Sequence, residues 1–389
     1  MSRRSLLHPA VIGMGLRVAA VRARRAIRGH QRYEGSAEEI LRAGLEACWT
    51  GEFLTASPGT YRHFWTRDLG FAAPALARLG DPWPARLRSS LAWGLETWRR
   101  SGTHVTTTID PVFRRPVDVF DYGVDSLPML VASLRVAGAD DLARRHADWL
   151  ATEVEHYVEV VVDPASGLVR TDRSLSAHRD TFRAGSSTYG NAMVAMLARD
   201  IAETGWGPDL LSRHFSDGGA APDWSLLLRR HFWLGDRFRD RLGTDLTSGE
   251  ANVWPFQAGL IVDPSMLGAA LGTLRREGFT TPYPLKFEVD HRTDGQLWAF
   301  RVWSADYQTT TSWTSLGSIY LALLRDIDPA AASVELWRMR ELIERDGTFW
   351  EVLDRRGRPW RSASRLSISD TSMLWGAILL EQFVEDSRA

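Results

Sequence analysis

Carboxylates set beside aromatic residues recur along this chain: Phe64-Trp65-Thr66-Arg67-Asp68, Tyr122-Gly123-Val124-Asp125, Ser176-Ala177-His178-Arg179-Asp180, Gly249-Glu250-Ala251-Asn252-Val253-Trp254, Thr311-Ser312-Trp313 and Phe349-Trp350-Glu351-Val352-Leu353-Asp354, with Asp370 beyond. That pairing suits glycoside hydrolysis. One carboxyl must stay protonated to donate to the leaving oxygen, while another stays ionised to activate water or to attack. Aromatic walls stack on the C–H faces of a sugar and raise a nearby acid's pKa by excluding water. Other chemistries lack their residues. The ten His are scattered without an H-E-x-x-H or paired His/carboxylate spacing, and no P-loop, G-x-G-x-x-G or G-x-S-x-G is present. Neither a metal nor a cofactor is expected.

The elements that must hold these groups are helical. Apolar residues at 3.6-residue spacing mark twelve helices, near 36–50, 66–80, 84–101, 122–137, 139–160, 188–204, 222–241, 252–262, 264–277, 310–325, 329–346 and 369–385. The pattern is cleanest in the sixth, where Tyr189, Ala192, Met193, Met196, Leu197 and Ile201 form one stripe. Caps are expected at Ser36 with Glu39, at Asp81 before Pro82 and at Asp328 before Pro329. Long irregular stretches at 102–121, 161–187, 278–309 and 347–368 carry most of the candidate groups, and loops that long usually serve function. Their placement on alternate connections predicts a ring of helix pairs with loops converging at one mouth. A two-layer helical solenoid would read much the same from periodicity.

Composition narrows the class further. A 389-residue chain with 44% hydrophobic and 24% charged residues buries a large core, and no linker-like break divides it. We expect a basic extension over 1–35 and one domain over 36–389. Cys48 is the only cysteine, which excludes an intramolecular disulfide and makes the cytoplasm the default compartment. Residues 1–33 hold eight Arg and no acid, which leaves residues 34–389 at −9, with 39 basic against 48 acidic groups. The apolar run at 9–16 is too short for a secretory signal. Residues 10–28 form either a basic amphipathic helix in weak contact with a membrane surface or a helix packed on its own domain, and the second is favoured. The acidic remainder argues against a nucleic-acid partner.

Trp 17 outnumbers Phe 15 and Tyr 8. Trp93, Trp98, Trp149, Trp224, Trp233 and Trp337 fall inside helices and read as core. Trp65, Trp254, Trp303, Trp313, Trp350 and Trp360 fall in or beside the expected mouth.

Taken in order over residues 60 to 385, these segments resemble the six-hairpin glycosidases: the bacterial amylo-alpha-1,6-glucosidase (glycogen debranching) catalytic domain and the related glucoamylase, trehalase and processing glucosidase I families. Phe64 to Leu76 is similar to the family's W-x-R-D segment, and Asp125-Ser126-Leu127 to its D-A-x-L-W segment. Asp180 falls where the family has the acid of W-M-D-A, and STYGNAMVAML resembles the helix that follows. Glu250 to Pro255 and Thr281-Pro282 are similar to its later P-N and T-P segments. Phe349 to Asp354 resembles the C-terminal E-x-x-D segment that supplies the base.

The resemblance implies an all-α (α/α)6 barrel and inverting hydrolysis of an α-linked glucosyl oligosaccharide or small glucoside. Asp180 would be the general acid and Glu351 the general base. Arg67, Asp68 and Asp125 would grip the sugar, Trp65, Trp313 and Trp350 would wall the pocket, and Glu250 would bind a hydroxyl or cap its helix. Inversion needs the two carboxyls roughly 6.5–9.5 Å apart, with water between.

Two departures stand out. His178-Arg179 occupies the place of the family's Trp-Met, and no N-terminal β-sandwich is found, which favours a short substrate. Arg179 and Arg183 suggest an anionic aglycone, since guanidinium matches such groups bidentately.

Each acid also has an ordinary structural reading. Arg67-Asp68 fits a helix-start ion pair, Asp125 a helix-terminal carboxylate, Asp180 a surface loop acid and Glu351 a partner of Arg355 or Arg358. Asp370 reads as a carboxylate near a helix start. Two other functions fit the pattern: a same-fold phosphorylase, lyase or epimerase, the last needing His104, His178 or His291 in the mouth, and a non-catalytic scaffold with a basic membrane- or nucleic-acid-binding N-terminus.

Overall fold

Ser36 opens the first of these helices as expected: its hydroxyl accepts from the Glu39 N–H, and the Glu39 carboxylate returns to the Ser36 N–H at 2.8 Å. In the computed structural model, which describes residues 19–21, 23–25, 27–118, 120–183, 185–206, 222–292, 294–362 and 368–387, the helices beyond residue 36 are α1 (Ala37–Cys48), α2 (Thr66–Arg78), α3 (Trp83–Ser101), α4 (Ser126–Val136), α5 (Asp140–Arg145), α6 (Ala147–Val161), α7 (Thr188–Thr204), α8 (Trp224–Phe232), α9 (Gly249–Gln257), α10 (Pro264–Arg276), α11 (Trp298–Trp303), α12 (Thr314–Ile327), α13 (Pro329–Asp346) and α14 (Gly376–Asp386).

Every stretch read as helical contains a helix, but several limits move. The fifth divides at His146 into α5 and α6. The seventh stops at Phe232, after which Trp233 bridges Phe238. The eighth starts earlier, at Gly249, because Ser248 caps it by accepting from the Ala251 N–H. The fourth, tenth and last start late, at Ser126, Thr314 and Gly376. Asp328 caps α13 as expected, whereas Asp81 does not cap, because α3 begins after Pro82 without a side-chain cap. Helix α11 has no counterpart in the sequence reading.

Packing is cyclic. Helix α2 packs on α4, α4 on α7, α7 on α9, α9 on α12, α12 on α14, and α14 returns onto α2. The remaining long helices lie against this set: α3 on α2, α6 on α4, α8 on α7, α10 on α9 and α12, α13 on α12, and α1 between α13 and α14. Position in this order explains a departure from simple amphipathicity. In α7 the stripe is buried as predicted, but Gly190, Asn191, Val194 and Ala195 on the other faces are buried too, because the helix has neighbours on several sides.

Short strands occupy the junctions ahead of three helices of this set. β1 (Phe64–Trp65), β2 (Thr108–Asp110) and β3 (Arg115–Val117) form an antiparallel sheet in that order, with Trp65 opposite Thr108. β4 (Tyr122–Gly123) pairs in parallel with β5 (Leu175–Ser176). β6 (Ser312–Trp313) pairs antiparallel with β7 (Val352–Leu353), placing Trp313 opposite Val352. β1 and β6 run directly into α2 and α12, and β4 is followed after two residues by α4, so Trp65, Asp125 and Trp313 stand at helix entrances.

Residues 1–18 of the basic segment lie outside the described residues. The part that follows is docked: Arg32 and His30 bond the carbonyls of Arg345 and Asp346, and the Tyr33 N–H donates to Gly347 O at 2.8 Å. Among the described residues no helix is long and apolar enough to cross a membrane. Of the tryptophans read as core, Trp98 and Trp224 are buried and Trp93, Trp149 and Trp233 pack partly against the core, but Trp337 is 57% exposed on α13.

Candidate active site

A pocket of about 230 Å³ opens where these junctions meet. Trp65, Phe71, Trp313 and Trp375 wall it, and Arg67, Asp68, Asp180 and Glu351 supply its charges. The loops at 161–187, 278–309 and 347–368 each contribute, through Asp180, Tyr307 and Glu351, whereas 102–121 contributes only strands β2 and β3 behind Trp65. Six of the nine predicted site residues therefore line one pocket.

Arg67, in the first turn of α2, organises one side. Its Nε donates to Asp125 at 2.6 Å, and its Nη1 donates to both carboxylate oxygens of Asp180 at 3.0 Å. Burial opposes the guanidinium charge, but Asp125 and Asp180 outweigh it and hold its pKa well above the ordinary value. Asp125 is wholly buried, accepts a further bond from the Tyr189 hydroxyl at 2.8 Å, and does not line the pocket. Although it sits at the entrance of α4, its side chain makes no cap and is paired with Arg67 and Tyr189.

The three acids in the pocket all have raised pKa values. Burial pushes Asp68 up to about 8, with Arg67 opposing and the charges of Asp180 and Glu351 adding to the rise. Burial also raises Asp180, although Arg67 pulls against it. Burial and the neighbouring Asp370 push Glu351 up to about 7. Glu351 is held from two directions: the Tyr307 hydroxyl donates to Oε1 at 2.5 Å and the Asp370 N–H donates to Oε2 at 2.9 Å. Tyr61 stands 3.0 Å from Tyr307, hydroxyl to hydroxyl. Arg355 and Arg358 are engaged elsewhere, with Thr310 and Asp354.

Four residues lining the pocket each carry a buried side-chain polar atom that makes no hydrogen bond within the protein: Trp65 Nε1, His178 Nδ1, Thr181 Oγ1 and Ser315 Oγ. Buried polar groups are normally paired, so unpaired ones on residues beside a pocket are candidates for bonding a hydroxylated ligand once the lining side chains adjust to it. Among the described residues no cluster of His, Cys, Asp and Glu could hold a metal ion.

The remaining predicted residues lie elsewhere. Trp350 is buried against His30 and donates from Nε1 to Asp346 at 2.8 Å, outside the pocket; β7 follows it, and period-two alternation turns Trp350 away from the side that Glu351 faces. Glu250 neither caps nor lines the pocket. Ser248 caps α9, and Glu250 accepts from Arg179 Nε at 2.9 Å.

Arg179 is buried and donates to Asp240, Glu250 and Glu288 together. Neither Arg179 nor any of these three partners lines the pocket that Asp180 lines. Burial works against its charge, yet the three carboxylates raise its pKa. Arg183 is exposed and borders a separate small depression with Arg179 and Arg241. Of His104, His178 and His291, only His178 lines the pocket, its Nδ1 facing Glu250 at 3.4 Å. Trp254 and Trp360 are buried behind the walls, and Trp303's side chain lies outside what is described.

Tyr61, Thr181, Tyr307, Ser315 and Trp375 line the pocket and escaped the sequence reading. Tyr307 and Ser315 sit close to the Trp313 segment, and Thr181 directly follows Asp180. Tyr61 carried no sequence signal, since its turn at 57–61 is short and holds no acid.

No family model matches the sequence, and no curated protein does. Solved structures do match. The rhamnosidase from Klebsiella oxytoca with rhamnose bound superposes with a TM-score of 0.65 at 14% identity over 91% of this chain; the match spans 63% of the rhamnosidase. A glycosidase variant in complex with glucose gives 0.62 at 13% identity, covering 90% of this chain and 96% of the other. The GH63 mannosylglycerate hydrolase from Thermus thermophilus, in complex with Tris and D-glycerate, gives 0.58 at 13%, covering 90% and 100%. The fold of this chain is the one these helical glycosidases share.

Proposed function

We propose that residues 36–389 form one (α/α)6 barrel that acts as an inverting glycoside hydrolase on an α-linked glucosyl oligosaccharide or small glucoside, in the cytoplasm. The observation that carries the reading is the pocket itself: Asp180 and Glu351, both with raised pKa values, share one tryptophan-walled cavity whose lining residues include four with a buried polar atom unpartnered within the protein. The cyclic helix order supports the barrel. The shared fold with glycosidases that bind rhamnose, glucose or glycerate supports a sugar ligand.

In this reading Asp180 gives its proton to the leaving oxygen as the C1–O bond breaks. Glu351 takes a proton from a water whose oxygen bonds C1 from the opposite face. A Glu351 pKa of about 7 suits a base that must be ionised near neutral pH. Trp65 and Trp313 stack on the sugar, while Arg67 and Asp68 reach its hydroxyls. We assign Asp125 and Glu250 to support: Asp125 fixes Arg67, and Glu250 fixes Arg179. Because Arg179 is consumed by three carboxylates, we assign it no contact with the aglycone.

A panel of neutral glucosides, disaccharides and glucosylglycerate, followed by NMR for the anomer first formed, tests this directly. We expect inversion, cleavage of neutral substrates at least as fast as glucosylglycerate, and loss of about 10²–10⁴-fold in Asp180→Asn and Glu351→Gln. With glucosyl fluoride, whose leaving group needs no proton, Asp180→Asn should recover and Glu351→Gln should not. Recovery in Asp68→Asn instead would move the acid to Asp68. Retention of configuration, or full activity in both variants, would overturn the mechanism.

A further inference from the structure

Behind Glu351, three segments far apart in the chain meet on one carboxylate. Asp370, almost wholly buried, binds Arg25 Nη2 through Oδ1, while its Oδ2 accepts from the Ser57 hydroxyl at 2.6 Å and the Thr60 N–H at 2.7 Å. Arg25 also reaches Thr371 Oγ1 at 3.1 Å and Ser369 O at 3.3 Å. Asp370 and Glu351 are joined reciprocally, each backbone N–H donating at 2.9 Å to an oxygen of the other residue. The same 57–61 turn carries Tyr61, whose hydroxyl meets Tyr307, the donor to Glu351. A closed circuit therefore runs from Glu351 through Tyr307, Tyr61 and the 57–61 turn to Asp370 and back.

We propose that Arg25 is a positioning residue of the active site: by pairing with Asp370 it fixes the place and ionisation of Glu351, and so makes the basic N-terminal segment a working part of the site. The segment is suited to that task, because residues further along it, His30, Arg32 and Tyr33, fasten to the 345–350 stretch that leads directly into Glu351. The groups facing Glu351 are Asp370, Tyr307, Asp68 and, at longer range, Arg25, and the buried Cys48 thiol faces Asp370. Of these only Arg25 is a cation. Asp370 raises the Glu351 pKa and Arg25 lowers it, so Arg25 offsets the anion that Asp370 brings.

The proposal rests on Glu351 being the base, so one arm of its test does not use turnover. The full chain labelled with [δ-13C]glutamate is titrated by NMR, with the Glu351 carboxyl identified by its disappearance in Glu351→Gln. Arg25→Gln should move the Glu351 midpoint upward by roughly half to one unit, and Arg25→Lys should return it towards the native value. Asp370→Asn should move it downward and leave Arg25→Gln without further effect in that background. The acidic limb of the pH dependence of kcat/KM on a cleaved glucoside should follow, with a fall of about 3- to 10-fold at pH 6 in Arg25→Gln and little change in KM. A Glu351 midpoint unmoved in a folded Arg25→Gln protein, with only its melting temperature lowered, would overturn the proposal. So would an Arg25→Gln shift that persists undiminished beside Asp370→Asn. Movement of the NMR midpoint without turnover on any glycoside would uphold the role of Arg25 while overturning the hydrolase reading.

Discussion

Both carboxylate oxygens of Asp180 accept from a single nitrogen of Arg67, Nη1, at 3.0 Å each, and the Nε of the same guanidinium is held by the buried Asp125 at 2.6 Å. One cation thus sets the position of the candidate acid, and a second carboxylate sets the position of the cation. Arg67→Met leaves Asp125 buried with only Tyr189, and removing one member of a buried pair typically costs about 3–5 kcal/mol. Urea unfolding should show a loss of that order, and Arg67→Met with Asp125→Asn should recover a substantial part of it. Equal stability of the single and double variants would show that Asp125 does not depend on Arg67.

Tyr307 donates to Glu351, and that bond lowers the carboxyl's pKa against the effects of burial and Asp370. The base works ionised, so activity rises as pH passes upward through its pKa. Tyr307→Phe removes the lowering and should move the acidic limb of the kcat/KM profile to higher pH, by roughly one unit. Activity at pH 6 should fall about tenfold and recover towards pH 9. A uniform loss at every pH would instead assign Tyr307 to packing.

Asp68 carries a folded-state pKa near 8, above its unfolded value, because burial disfavours its anion. Between pH 4 and pH 8 the folded protein therefore binds the proton that the unfolded chain has released. The contribution of this group to stability is fully present below pH 4 and is lost as pH rises through 8. Asp68→Asn should consequently melt higher than the native protein at pH 8, by an amount on the order of 1–3 kcal/mol in stability, with the difference shrinking towards pH 4. The same variant should lose activity. A stability gap that does not change with pH would contradict this.

Ser315 and Thr181 line the pocket, and each carries a buried hydroxyl with no protein partner. Ser315→Ala and Thr181→Val remove unpaired groups, so neither should destabilise the free protein. Each should instead raise KM about three- to tenfold, the worth of one hydrogen bond to a neutral ligand, with a smaller effect on kcat. Unchanged KM in both would mean that the sugar pairs elsewhere in the pocket.

How far the site could be read in advance depended on where each residue sits relative to a helix entrance. Trp65, Arg67, Asp68 and Trp313 occupy junctions where a two-residue strand runs into a helix, and spacing from the helix start is a local property that survives folding. Trp350 and Glu351 are adjacent in sequence but face different surroundings, because β7 begins beside them and alternation separates their side chains. The surroundings of Glu250 are not legible in its own segment, because its partner, Arg179, lies 71 residues away. Nothing local in either segment records that three carboxylates would converge on one guanidinium. Likewise, α11 is only six residues long and its apolar side chains are partly exposed, so periodicity had too little length to show it.

The sequence by itself determined the helical class, the approximate positions of the long helices, the caps at Ser36 and Asp328 and the acids that stand at helix entrances, because periodicity, capping and short-range spacing act within a few residues. Tertiary structure alone decided which acids share a pocket, that Arg179 pairs with three buried carboxylates, and that Arg25 and Asp370 meet behind Glu351. Those outcomes depend on desolvation and on charge pairing between residues as many as 345 positions apart. Such terms come into being only once the helices have packed and water has been excluded from between them.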